Sequence, residues 1–264
     1  MVSVSREVRA VLILCLVLGV IVGAGRAGSP PGTAVASAPQ PKTSERLLSS
    51  MPAGDRTAAP MAEVDTAGTR HLTGQEGKTV ALTFDDGPHP EFTPRVLRIL
   101  RDHDVTATFC LVGEMAELRP DLIRDIVDDG HTLCDHTVSH DTELPSRDTS
   151  VIEDEIVGTL TSIRDAVPDV EVPFYRAPGG NFASNVNAIA GEHGQVPLGW
   201  SIDPGDWRKP GARALHDYVA EHIHPGAVIL LHDGGGDRAG TVDALPAIIR
   251  TLRRAGYEFV VPTA

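Results

Sequence analysis

Two adjacent carboxylates, Asp85 and Asp86, follow the apolar stretch Val80–Phe84 in this chain of 264 residues, and Gly87 and a proline come directly after them. The apolar stretch predicts a buried strand, and the Gly-Pro pair predicts that it ends there. Because successive strand side chains point in opposite directions, one carboxylate can hold a cation while the other moves a proton. A capped turn is the alternative interpretation, since Asp-Gly-Pro is also common in turns.

Two histidines, His136 and His140, lie four residues apart. On one helical turn this spacing would place both imidazoles on the same side. Two imidazoles and one carboxylate suit zinc, cobalt or nickel better than magnesium or calcium, and three protein ligands leave positions open for water and substrate. The histidine pair alone also occurs in polar turns. An aspartate at a neighbouring strand end favours a catalytic metal site.

The elements that must position these residues alternate between strands and helices from Lys78 onward. The predicted strands are Val80–Phe84, Val105–Val112, His131–Asp135, Phe174–Arg176, Val196–Ile202, Ala227–His232 and Tyr257–Val261. Such alternation implies parallel strands joined by crossover helices. The sequence therefore predicts an α/β fold, an incomplete (β/α) barrel with about seven parallel strands.

Polar residues follow five of the predicted strands. In (β/α) barrels the chemistry gathers at the carboxyl ends of the strands, which share one face of the molecule. The five groups are Asp85-Asp86, His136–His140, Arg176–Gly180, Asp203–Trp207 and Leu230–Asp233. We therefore expect them to converge on a single active site.

Composition excludes some classes of partner. Hydrophobic residues make up 41% of the chain and charged residues 22%, values typical of globular proteins. The net charge of −13 argues against a nucleic-acid-binding protein, which normally has a basic face, and disfavours adhesion to anionic lipid.

The N-terminal part of the chain has the composition of an export signal and a linker. Two arginines precede an apolar stretch over residues 10–25, which predicts a signal peptide or an N-terminal membrane anchor over residues 1–27. The stretch is short for a membrane span, so cleavage and a membrane tether through residues 10–25 both stay open. Residues 28–76 are rich in Pro, Ala, Ser, Thr and Gly and predict a flexible linker with little fixed structure. We expect an exported catalytic domain over residues 77–264.

Two cysteines, Cys110 and Cys134, lie in the part of the chain expected outside the cytosol. They could form one disulfide there. Two buried thiols on strands are the alternative.

The polar groups also carry a family resemblance. Thr-Phe-Asp-Asp-Gly-Pro, His-Thr-Val-Ser-His, Arg-Ala-Pro-Gly-Gly, Asp-Pro-Gly-Asp-Trp and Leu-Leu-His-Asp, in this order, resemble the five motifs of the polysaccharide deacetylases. These are the enzymes of carbohydrate esterase family 4, which share a NodB-homology domain, and the resemblance covers about residues 77–264. It implies a distorted, incomplete (β/α) barrel and a metal-dependent hydrolase that removes acetyl groups from sugars.

The resemblance also implies roles for individual residues. One divalent transition metal, Zn²⁺ with Co²⁺ or Ni²⁺ as alternatives, would be bound by Asp86, His136 and His140. The general base would be Asp85, oriented by Arg176, and the general acid would be His232, supported by Asp206. The acetyl pocket would be formed with help from Trp207 and Leu230.

One position departs from the family pattern. The third motif usually has an aromatic residue where this chain has Gly179. The backbone N–H expected to serve the oxyanion is still present there. The missing aromatic wall is expected to open or reshape a sugar subsite.

The leading hypothesis for function is an exported N-deacetylase whose partner is an acetylated glycan containing N-acetylglucosamine, either peptidoglycan or a chitin-type chain. An O-deacetylase that acts on acetylated xylan is the close alternative. A non-catalytic sugar-binding protein on the same fold is a third hypothesis. Its signature would be the absence of the base, of a metal ligand or of the acid, and none of these is missing from the sequence. The sequence leaves the glycan and the oligomeric state open.

Overall fold

The structure is a computed structural model and describes residues 64–264. The predicted signal peptide or anchor and most of the predicted linker lie outside the described residues. Among the residues described, no helix combines the length and the apolar character needed to cross a membrane.

Strands and helices alternate over the described part of the chain, as predicted. The strands are β1 (Thr79–Gly87), β2 (Thr108–Leu111), β3 (Thr132–Asp135), β4 (Phe174–Tyr175), β5 (Val196–Pro197), β6 (Ala227–His232) and β7 (Glu258–Phe259). The helices are α1 (Phe92–Asp102), α2 (Gly113–Leu118), α3 (Pro120–Asp128), α4 (Thr149–Ala166), α5 (Ser184–Glu192), α6 (Ala212–His222) and α7 (Ala239–Arg254).

The strands of residues 64–264 form one sheet of seven in the order β5-β4-β3-β2-β1-β6, with β7 paired to the start of β1. Every pair is parallel. The sheet does not close, because β5 and β6 stay at opposite edges. The predicted α/β class and the incomplete, distorted barrel are confirmed.

The central strand explains where the core lies. β1 runs between β2 and β6, and its residues from Thr79 to Asp85 are buried. A strand covered on both faces reads as a continuous apolar run, which is why its position was evident from the sequence. Helices α1 and α7 pack against each other and contribute buried apolar side chains at helical spacing to the core that contains β1: Val96, Leu97, Leu100, Leu245, Ile248, Ile249 and Leu252.

The fifth strand is shorter than predicted. The sequence predicted it over Val196–Ile202, whereas the structure ends it at Pro197. Beyond that point the backbone bonds elsewhere: the Gly199 N–H donates to the Arg70 carbonyl, and Ile202 makes a single bridge to Ile229 on β6. The chain therefore crosses from one sheet edge to the other.

Residues 64–76 make defined backbone contacts, although the sequence predicted little fixed structure up to residue 76. Arg70 forms a parallel bridge with Leu198, next to β5, and Leu72 forms an antiparallel bridge with Ala227, on β6. We call residues 64–73 the N-terminal strap. It spans the opening between the two edge strands, because unpaired backbone groups at a sheet edge need hydrogen-bond partners.

A disulfide joins Cys110 and Cys134. The two residues occupy paired positions on the neighbouring strands β2 and β3, and both are buried. Of the two alternatives that the sequence left open, the structure has the disulfide.

Candidate active site

A cavity of about 400 Å³ opens at the carboxyl ends of the strands. The predicted residues that line it are Asp85, Asp86, His136, His140, Gly179, Trp207, Leu230 and His232. The other two predicted residues, Arg176 and Asp206, are buried and contact Asp85 and His232. The structure therefore brings all ten predicted site residues together, with Trp200 as a further wall that the sequence analysis did not single out.

The carboxylate pair is shaped by a strand irregularity. The register between β1 and β2 shifts between Asp85 and Gly87, and Asp86 has a left-handed φ of 69°. An irregularity of this kind redirects side chains. Both carboxylates consequently line the same cavity, although alternation along a regular strand would have separated them.

The two histidines are carried by a loop and not by the helical turn considered from their spacing. Thr137 and His140 both have left-handed backbone angles, with φ of 64° and 58°. Helix α4 holds the loop through Glu155, whose carboxylate accepts from the Ser139 N–H at 2.9 Å and from its hydroxyl at 2.7 Å. The imidazole centroids of His136 and His140 lie 4.9 Å apart.

Asp86, His136 and His140 have the geometry of a metal site. Asp86 Oδ1 lies 3.5 Å from His136 Nε2 and 3.4 Å from His140 Nε2. Three such ligand atoms at about 2.0–2.1 Å from a tetrahedral zinc would lie about 3.3–3.4 Å from one another. Asp86 Oδ1 is buried and makes no hydrogen bond within residues 64–264. The donor set therefore fits a divalent transition metal.

The residues around the Asp86, His136 and His140 cluster affect its protonation. His136 Nδ1 lies 2.8 Å from the Arg176 carbonyl, which can only accept, so Nδ1 is the donor and Nε2 is the nitrogen that faces Asp86. Burial raises the pKa of Asp86, but the nearby His136, His232 and His140 hold it well below its usual range. Burial lowers the pKa of His140, and His136 lowers it further.

Asp85 is held by a wholly buried arginine. Arg176 Nη1 donates to Asp85 Oδ1 at 2.7 Å and to the Thr83 hydroxyl at 2.8 Å. Its remaining nitrogens donate to the carbonyls of Leu198 and Gly199 at 2.8 and 3.0 Å. One Asp85 oxygen is thus fixed. The other, Oδ2, lies 3.6 Å from His136 Nε2.

His232 is held by Asp206 on the other side of the cavity. Its Nδ1 lies 2.7 Å from Asp206 Oδ1, and its backbone N–H donates to Oδ2 at 2.8 Å. The Thr241 hydroxyl also donates to Oδ2, a contact that the sequence analysis did not predict. Burial lowers the pKa of His232, but the hydrogen bond and charge of Asp206, and the charges of Asp85 and Asp86, raise it above its ordinary value.

The remaining predicted residues form the floor and rim of the cavity. Gly179 has a left-handed φ of 61°, and its N–H has no acceptor among the described residues. Leu230 is buried, whereas Trp207 is 47% exposed and packs with the Arg208 guanidinium 4.3 Å from its ring centroid.

Comparison with known proteins identifies the family. The family model described as polysaccharide deacetylase matches residues 73–198. A chitooligosaccharide deacetylase from Sinorhizobium fredii (strain NBRC 101917 / NGR234) is 37% identical over 207 residues, which are 75% of this chain and 96% of that protein. This chain belongs to the polysaccharide deacetylase family. It is accordingly an enzyme of the deacetylase class, and the resemblance read from the five motifs is confirmed.

Solved structures of polysaccharide deacetylases share the fold. The Bc1960 peptidoglycan N-acetylglucosamine deacetylase is 35% identical with a TM-score of 0.69, over 72% of this chain and 89% of that one. A pseudoenzyme of carbohydrate esterase family 4 from Bacillus anthracis is 29% identical with a TM-score of 0.68, over 74% of this chain and 67% of that one. The same fold therefore occurs in a deacetylase and in a pseudoenzyme, so the chemistry of this chain depends on its own side chains.

Proposed function

We propose that this chain is a metal-dependent hydrolase that removes N-acetyl groups from glycans containing N-acetylglucosamine, of the peptidoglycan or chitin type. One observation supports this most directly. The Asp86, His136 and His140 cluster lies in one cavity with two differently held groups, Asp85 on Arg176 and His232 on Asp206. The relatives named for chitooligosaccharide and peptidoglycan deacetylation support the choice of glycan.

Asp86, His136 and His140 would hold a divalent transition metal, for which we propose zinc, with one charged and two neutral ligands. The bound metal would act as a Lewis acid toward the acyl oxygen and would lower the pKa of water.

Asp85 is proposed as the general base. Arg176 fixes Oδ1, so Oδ2 takes the proton from the water that attacks the acetyl carbon. The Gly179 N–H, which has no acceptor within residues 64–264, donates to the oxygen on which negative charge develops. Buried Leu230 and the exposed rim residue Trp207 bound the space for the methyl group.

His232 is proposed as the general acid. With Nδ1 engaged by Asp206, Nε2 is the nitrogen available to the cavity, and the raised pKa favours the protonated form of the ring. As the C–N bond breaks, Nε2 gives its proton to the departing nitrogen. The products are acetate and a glycan with a free amine. The proton that Asp85 takes from water replaces the one that His232 donates, so both residues return to their starting protonation states.

Export of the enzyme is also proposed. It is supported by the arginines and the apolar stretch before residue 27, with secretion and a membrane tether through residues 10–25 as the two forms. Fractionation of cells that produce the full chain tests it. Activity found only in the cytosol would contradict export.

The function is tested by acetate release from peptidoglycan, chitooligosaccharides and acetylated xylan. We expect release from the first or second substrate, loss on chelation and recovery with zinc. Preferential release from acetylated xylan would instead support the O-deacetylase. Absence of release from all three, with zinc loaded, would support the sugar-binding protein.

A further inference from the structure

The N-terminal strap begins with a turn that aims a histidine at the pocket wall. Asp65 Oδ1 accepts from the N–H groups of Ala67 and Thr69 at 2.8 and 2.9 Å, which fixes the turn. The other oxygen, Oδ2, lies 3.0 Å from His71 Nε2. The turn therefore orients the His71 ring.

The second ring nitrogen of His71 reaches the backbone of the wall residue. His71 Nδ1 lies 3.1 Å from the Trp200 carbonyl oxygen. A carbonyl only accepts, so Nδ1 is the donor. The ring also lies close to Gly199, where an added Cβ would be 2.7 Å from His71 Cε1. His71 thus fits only because residue 199 has no side chain.

Trp200 forms one wall of the cavity, and the strap supports it from behind. Its ring lies against Gly180, where an added Cβ would be 2.7 Å from Trp200 Cη2, and it stands 5.7 Å from the Arg176 guanidinium. Phe182 contacts both aromatic groups, with ring centroids 6.5 Å from His71 and 6.3 Å from Trp200.

The strap also contacts the backbone that anchors Arg176. The Gly199 N–H donates to the Arg70 carbonyl at 2.7 Å, and the Gly199 carbonyl accepts from Arg176 Nη2 at 3.0 Å. Arg176 keeps its bonds to Leu198, Thr83 and Asp85 if Gly199 shifts. A disturbance at His71 should therefore reach Trp200 more strongly than the general base.

We propose that His71 is a positioning residue for substrate binding, because it fixes the Trp200 wall of the cavity from the N-terminal strap. The part that concerns substrate rests on the proposed function. The strap is a built-in support of the glycan-binding cavity and fills the opening between the two edge strands.

The kinetic test compares four single variants and one double variant of the full chain. His71→Ala removes both ring contacts. His71→Gln keeps an N–H donor for Asp65 but has no donor at the Nδ1 position that contacts the Trp200 carbonyl. Both should raise KM for the oligosaccharide about three- to tenfold, the effect of one lost hydrogen bond, with kcat within about twofold. His71→Asn keeps a donor at the Nδ1 position and should restore KM. Gly199→Ala, which displaces the ring, should mimic His71→Ala, and combining the two should add little.

His216 provides a matched control. It is half-buried, with Nδ1 2.9 Å from Asp217 Oδ1 and Nε2 2.9 Å from Thr251 Oγ1, on a helix that does not line the cavity. His216→Ala should lower thermal stability by an amount similar to His71→Ala and leave KM unchanged.

A second readout does not depend on activity. The chain has two tryptophans, so Trp207→Phe leaves Trp200 as the single tryptophan. In that background, acrylamide should quench the tryptophan fluorescence of Trp200 more strongly in His71→Ala than in the parent. His71→Asn and His216→Ala should leave this quenching unchanged.

Two failures can be told apart. If the parent chain hydrolyses a glycan but His71→Ala and His71→Gln change neither KM nor quenching, the positioning role is wrong. If the parent chain hydrolyses no glycan, the proposed function is wrong, and quenching alone decides whether His71 positions Trp200.

Discussion

Arg176 Nη1 lies 2.7 Å from Asp85 Oδ1, and both side chains are buried. The charges of the guanidinium and the carboxylate thus compensate each other at two buried positions. Breaking such a pair by removing one partner is strongly destabilising, because the other charge is left buried without compensation.

We therefore predict that Arg176→Leu lowers the free energy of unfolding by about 3–5 kcal/mol and abolishes most activity. Adding Asp85→Asn to Arg176→Leu should recover part of the stability, since the stranded charge is then removed, but none of the activity. Chemical denaturation of the two single variants and the double variant measures this. Additive losses in the double variant would contradict the pairing argument.

Removing one ligand should weaken metal binding. Asp86→Asn removes the charge of one ligand and His140→Ala removes another ligand. Each should lower zinc affinity by more than about 100-fold, since loss of outer partners alone often costs 10–100-fold. Calorimetric titration of the metal-free protein with zinc measures the affinity. His193→Ala, a histidine that does not line the cavity, is the control and should bind zinc like the parent. Unchanged affinity in Asp86→Asn would rule out the proposed site.

His232 should matter more for amides than for activated esters. An acetamide cannot expel its nitrogen until that nitrogen is protonated, whereas a nitrophenyl ester leaves as a stable anion. His232→Ala should lose about 10²–10⁴-fold on a chitooligosaccharide and keep much of its rate on 4-nitrophenyl acetate. Asp85→Ala should damage both reactions. Equal losses on the two substrates in His232→Ala would show that His232 is not the acid.

The alkaline side of the pH profile should depend on Asp206. Although burial lowers the pKa of His232, Asp206 raises it. Because the protonated form is the acid, amide hydrolysis should fall as pH rises through this raised pKa. Asp206→Asn removes the charge, so the fall should begin at lower pH. Profiles of kcat/KM on a chitooligosaccharide test this, and a profile that stays in place would contradict the assignment.

The N-terminal strap should be needed for stability, unlike the residues before it. A chain that begins at residue 64 should unfold like the full chain. A chain that begins at residue 74 loses the hydrogen bonds of Arg70 to Pro197 and Gly199, and that of Thr73 to Gly226. We expect a loss of about 2–4 kcal/mol, at roughly 1 kcal/mol for each bond and some packing. Thermal unfolding of the two truncated chains compares them directly.

Much of the site could be predicted from the sequence for a physical reason. Alternating strands and helices force a parallel sheet, and the carboxyl ends of parallel strands meet on one face. Polar groups that each follow a strand must then come together, as Asp85, His136 and His232 do. The order of the five motifs indicated the family, whereas the roles proposed for their residues remain predictions.

What only the tertiary structure decided depends on partners far apart in the chain. The irregularity that places Asp86 in the same cavity as Asp85 depends on the register between β1 and β2. The left-handed backbone at His140 replaces a helical turn, and the disulfide follows from the pairing of β2 with β3. His71 and Trp200 are separated by 129 residues, and no local pattern marks their contact. Local sequence sets which residues can act, whereas long-range packing sets the directions in which they point.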